Sequence, residues 1–114
     1  MPSASNEVLA PGVSLYLQFE GARLCVKIEV ESQERRGRLR DQACGYLLRM
    51  TPAAPRLSIV RPAKLGHGRW MTIGYLEGIP VGPAARPAEL GQQVKAAESL
   101  LAAVASKLLA DVAR

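Results

Sequence analysis

His67 is the only imidazole of the chain, held between two glycines in LGHG (65–68), three residues before the only tryptophan, Trp70. An imidazole moves protons near neutral pH, but a general base also needs a partner group and a pocket. Of the two cysteines, Cys25 and Cys44, Cys25 would become a nucleophile if His67 reached it. Nothing in the spacing brings the two together. The bland alternative is a loop histidine and a cysteine on a sheet.

Glu29 and Glu31 share one strand face with Lys27. The order Lys27-Ile28-Glu29 reverses the E-x-K of metal-dependent nucleases, and two-metal chemistry needs several convergent carboxylates. A chain with no CxxC pair, no phosphate-binding P-loop and no dinucleotide-binding glycine fingerprint carries no recognisable metal or cofactor site. No cofactor and no metal are therefore expected. An enzyme using Cys25 or Glu29 and Glu31 is the weakest expectation.

The arginines are the stronger candidates. Arg35, Arg36, Arg38 and Arg40 crowd the start of a helix, and Arg61, Lys64 and Arg69 bracket the glycine-flanked loop. Residues 1–32 carry a net charge of −2, residues 33–70 carry +7, and residues 71–114 are neutral. Positive charge near a helix N-terminus opposes the macrodipole. A compensating negative group is expected: phosphate, an acidic protein surface, or the molecule's own carboxylates. If both basic groups meet, they form one face for phosphate contacts, with His67 and Trp70 beside it. Charge reversal at Arg36 and Arg40 is then expected to remove binding and leave stability unchanged. The competing expectation is a solvated face paired with Glu29, Glu31 and Glu34, worth under about 1 kcal/mol per pair.

These residues need a scaffold. The 114 residues are 48% hydrophobic, which suits one domain with a real core. Arginine outnumbers lysine 11 to 4, the bias of a GC-rich genome. No run of 18 apolar residues spans a membrane, and the N-terminus lacks a signal-peptide pattern. A cytoplasmic location is expected.

Residues 1–12 read as a flexible arm, and 13–114 as a single α+β domain. In GVSLYLQFEGARLCVKIEVE (12–31), Val13, Leu15, Leu17 and Phe19 alternate with polar residues, as do Leu24, Val26, Ile28 and Val30. Period two predicts a half-buried hairpin. A turn at Glu20-Gly21 would pair Leu17 with Leu24 and Leu15 with Val26.

The period then changes. Leu39, Ala43, Tyr46 or Leu47, and Met50 make a helical stripe. Ser32 is placed to cap it, with Glu34 in the first turn. Gly37 and Gly45 weaken the helix by about 1 kcal/mol each, which suggests close packing on the sheet. TPAAP (51–55) ends this helix. RLSIVRP and RWMTIGYLEG read as two more strands, with Gly66 and Gly68 giving their loop positive φ. IPVGPAARP (79–87) is a linker. From Pro87 a long helix carries Leu90, Val94, Ala97, Leu101, Val104 and Leu108 at heptad spacing. At 1.5 Å per residue it should overhang its own sheet.

The expected fold is thus α+β and two-layer: an antiparallel sheet of about four strands in ββαββα order, with the long C-terminal helix packed on one face. The expected function is a small non-catalytic binding module. It would engage an anionic macromolecule, nucleic acid first, through Arg35, Arg36, Arg38, Arg40, Arg61, Lys64, His67, Arg69 and Trp70. It would be a homodimer through the C-terminal helix. The alternative is a protein-protein adaptor or inhibitor meeting an acidic protein surface.

Overall fold

The structure, a computed structural model, describes residues 6–20, 23–50, 58–77 and 87–112. The side chains at 58, 87–90, 92 and 93 are outside that description. So are the TPAAP stop, the 79–86 linker, the seam position Leu90 and the first five residues of the expected arm.

Among the described residues, five strands and two helices form the α+β fold. They are β1 (Asn6–Ala10), β2 (Val13–Glu20), β3 (Arg23–Val30), α1 (Arg36–Arg49), β4 (Ser58–Val60), β5 (Trp70–Glu77) and α2 (Pro87–Val112). The sheet is antiparallel throughout, in the order β1-β2-β3-β5-β4. Both helices lie on one face of it. α1 covers β5, β3 and β4, and α2 covers β1 and β2.

Alternation explains why one face is covered. Val13, Leu15, Leu17, Leu24, Val26, Ile28 and Val30 are all buried and point to the helices. Each such side chain contributes roughly 1.5–3 kcal/mol. The β2–β3 pairing differs from the expected one by two residues: Leu17 faces Val26, Leu15 faces Ile28, and Glu20 faces Arg23. A two-residue shift returns every side chain to its face, so the apolar pattern could not tell the two registers apart.

The expected arm is corrected from Asn6 onward, where it becomes the edge strand β1. Ala10 pairs with Val13 across Pro11-Gly12, and Gly12 has φ of +77°. Proline followed by a positive-φ glycine is the composition of a type II turn. Gly12 is the only described residue with positive φ, so Gly66 and Gly68 do not play the part expected of them. β1 also widens the sheet beneath α2, which packs on β1 and β2. The heptad seam meant for a second copy faces inward instead: Ala97, Leu101, Val104 and Leu108 are buried in the chain's own core.

α1 packs through Leu39, Ala43, Cys44 and Leu47. Its N-cap is Arg35, with no side-chain cap bond and no acidic residue in the first turn, so Ser32 does not cap it. The glycine that admits close packing is Gly74 on β5, where a Cβ would collide with the Leu47 side chain. Gly37 has open space around it, and Gly45 has only the Arg49 guanidinium near. Beside Gly74, the β3–β5 register skips Ile73, since Val26 pairs with Gly74 and Lys27 with Thr72. A bulge leaves its extra residue without a ladder partner. The Cys44 thiol donates to that Ile73 carbonyl at 3.4 Å.

The glycines yield a paired prediction. Gly74→Ala should destabilise the protein by about 1–3 kcal/mol through overpacking, whereas Gly37→Ala should stabilise it by up to about 1 kcal/mol. Urea unfolding of both variants checks the opposite signs.

Candidate anion-binding cleft

The basic residues gather into three groups rather than one face. The first ties elements together. Arg35 NH2 donates to the Val112 carbonyl at 2.7 Å, and Arg38 NH1 to the Asp111 carbonyl at 3.4 Å. Those carbonyls end α2, where the helix has unsatisfied acceptors and the negative end of its dipole. The Tyr46 hydroxyl donates to the buried Asp111 carboxylate from the same side. Arg36 donates from Nε to the Val30 carbonyl at 2.9 Å and from NH2 to the Glu31 carbonyl at 3.1 Å. The negative partner demanded by this arginine cluster is therefore largely backbone oxygen. Charge reversal at Arg36 and Arg40 would accordingly act on stability as well as on binding.

The second group lies at the outer sheet face. Arg69 Nε meets Glu29 at 2.7 Å, Arg69 NH2 lies 3.7 Å from Glu31, and its guanidinium stacks 5.0 Å from the centre of the Trp70 ring. Trp70 is 60% exposed and pairs with Glu29 across the strands. The Ser14 hydroxyl donates to the same Glu29 carboxylate. Both glutamates of the weak nuclease reading are thus engaged by Arg69. Among the described residues, no group of three or more His, Cys, Asp or Glu side chains could hold a metal ion.

The third group forms a cleft. Arg40, Asp41, Cys44, Gly45 and Leu48 of α1 make one wall, and Arg61, Lys64, Leu65 and His67 of the β4–β5 connection make the other. Its volume is about 570 Å³, within the range of roughly 300–1,000 Å³ of small-ligand sites. Three cations line it against one carboxylate.

Arg40 holds the walls together. It bonds Asp41 through Nε and NH2, each at 2.9 Å, and through NH1 it donates to the Gly66 carbonyl at 2.8 Å. The same NH1 lies 3.1 Å from His67 Nδ1. Burial of Leu65 against the core and of Pro62 anchors the connection further. His67 is exposed but latched to α1, not a free loop tip. Arg61 and Lys64 are exposed, and neither makes a hydrogen bond or ion pair among the described residues.

Asp41, Leu48 and Leu65 are not singled out by the sequence, and Gly45 stands out there only as a packing glycine. Leu48 carried the one signal that could have found the site: an apolar residue beside the α1 stripe, 42% exposed. Cys25 lies elsewhere, on the outer face between Gln18 and Tyr75. Gly66 rests on the core residue Met71 on the helix side, so the sheet separates Cys25 from His67. Burial, then a hydrogen bond to Glu20 and its charge, push the Cys25 thiol up to about 11. Burial, then Glu29 and Glu20, also raise the Tyr16 phenol. Such a thiol stays protonated at neutral pH and is a poor nucleophile.

No family model, curated protein or solved structure matches this chain.

Two predictions follow from these placements. Arg35→Ala with Arg38→Ala should lower unfolding free energy by about 1–2 kcal/mol, through loss of charge-assisted bonds to the α2 end, while the cleft keeps its binding. Urea unfolding beside a binding titration separates the two effects. The raised Cys25 value makes folding favour the protonated thiol. That contribution is complete below the unfolded value of about 9 and is lost as pH rises through about 11. The wild type should therefore lose about 1–2 kcal/mol more than Cys25→Ala between those pH values. Unfolding titrations across that window check it.

Proposed function

We propose that this protein is a non-catalytic binding module for an anionic partner, nucleic acid first, and that the α1–loop cleft is its contact site. One observation carries the reading. Arg61 and Lys64 stand exposed and unpaired among the described residues at the mouth of a cleft, and Arg40 latches the loop that carries them. Side chains held apart from carboxylates remain available to phosphate. The cleft is too small for a duplex groove, so single-stranded or terminal segments fit the reading best. No helix among the described residues is long and apolar enough to cross a membrane.

A protein-protein adaptor is the second reading. It draws on a different place: a groove of about 230 Å³ between β1 and α2, where Val8 and Leu109 are exposed beside Leu9 and Ala105. Apolar exposure of this kind suits a protein partner.

The nucleic-acid reading predicts a shallow salt dependence. Two free cations on single-stranded DNA should give a slope of log K against log salt of about −1.4. A surface using all of the arginines would be far steeper. Arg61→Glu with Lys64→Glu should abolish binding and leave the unfolding midpoint within experimental error. Fluorescence polarisation over a salt series measures both. Equal competition by heparin and by DNA would remove nucleic-acid specificity from the reading.

A further inference from the structure

The pairing around Arg40 assigns a chemical role to each remaining group in the cleft. A guanidinium only donates hydrogen bonds. His67 Nδ1, 3.1 Å from Arg40 NH1, must therefore be the acceptor. The neutral ring then carries its proton on Nε2, and that N–H is the only donor the imidazole has to offer a ligand. Arg40 itself is matched by Asp41 and by the Gly66 carbonyl. It positions the loop and adds little free charge. The cleft thus presents two uncompensated cations, Arg61 and Lys64, and one neutral directional donor, His67.

That set discriminates among phosphates. A phosphate monoester carries about −1.5 to −2 charges near pH 7 and three terminal oxygens. An internal phosphodiester carries one charge and two such oxygens, and would leave one cation and one donor unmatched. The walls add a second requirement. Leu48 on one wall and Leu65 on the other add apolar surface, against which a flat ring attached to the phosphate can rest.

We propose that the cleft takes a terminal phosphate monoester borne by a nucleoside, either a free mononucleotide or the phosphorylated end of a single strand, with His67 as its specificity-determining donor. This rests on the nucleic-acid reading above and narrows it to an end.

The test uses the full chain and three short single-stranded oligonucleotides of one sequence: 5′-phosphorylated, 3′-phosphorylated and unphosphorylated. Adenosine monophosphate is titrated separately. At least one phosphorylated strand should bind about tenfold more tightly than the unphosphorylated one, the worth of one charge-assisted hydrogen bond. His67→Gln, whose amide N–H stands near the Nε2 position, should keep that preference. His67→Asn, whose amide stands near Nδ1, should lose it, with both variants unfolding as the wild type does. Equal binding of all three strands that still depends on Arg61 and Lys64 would overturn the end preference and leave the nucleic-acid reading standing. Binding of adenosine monophosphate but of no strand would uphold the monoester site and overturn the nucleic-acid reading. Binding of neither would overturn both. Preserved preference in His67→Asn would remove His67 from the assignment.

Discussion

The sheet has one apolar face, and both helices must share it. That constraint sets the rest of the molecule. Two helices side by side need a sheet about five strands wide at roughly 4.8 Å per strand. β1 supplies the width that the β2–β3 hairpin and the β4–β5 pair lack. With β1 in place, α2 lies over β1 and β2, and α1 over β3, β5 and β4. α1 comes close enough to seat Leu47 where Gly74 has no side chain. A bulkier residue there would lift α1 and change the cleft, because one wall of the cleft is α1 itself.

The same sharing decides where the positive charge goes. Side-by-side packing brings the start of α1 to the end of α2. Arg35 and Arg38 then find carbonyl oxygens at a helix C-terminus, where a cation is favoured. Arg36 joins the helix start to the end of β3, and Arg69 joins β5 to Glu29 and Glu31. Each of these arginines is matched locally. Among the described residues of a middle third with a charge of +7, Arg61 and Lys64 stay free beside the latched His67, and Arg49 only stacks on Tyr46. Counting charge along a sequence overstates the field at a site when most guanidiniums bridge elements of the fold.

Much of the scaffold was legible in advance because its signals are local. Alternation at Val13–Phe19 and Leu24–Val30 places those side chains on one face whatever the register. The stripe through Leu39, Ala43 and Leu47 identifies the buried side of α1. The Pro11-Gly12 pair was equally local but was read as the border of an arm, and its turn chemistry implied a hairpin and hence β1. The roles of Gly37, Gly45, Gly66 and Gly68 were misjudged for another reason. A glycine needed for an approaching side chain cannot be told from one with empty space until the neighbour is placed, and Leu47 lies 27 positions from Gly74. The seam of α2 misled similarly, since heptad spacing is the same whether it meets a second helix or a sheet.

Residue spacing alone settles the two periodicities, the α+β class, the inward face of each element and the concentration of charge in the middle third. Each follows from residue spacing and side-chain chemistry within one element, which act at short range. Packing between elements settles which cations are neutralised, which glycine is crowded, and that His67 sits against Arg40, 27 residues earlier in the chain. Those outcomes depend on distances between elements. Distances of that kind come from packing two helices onto one shared apolar surface, and no local pattern encodes them.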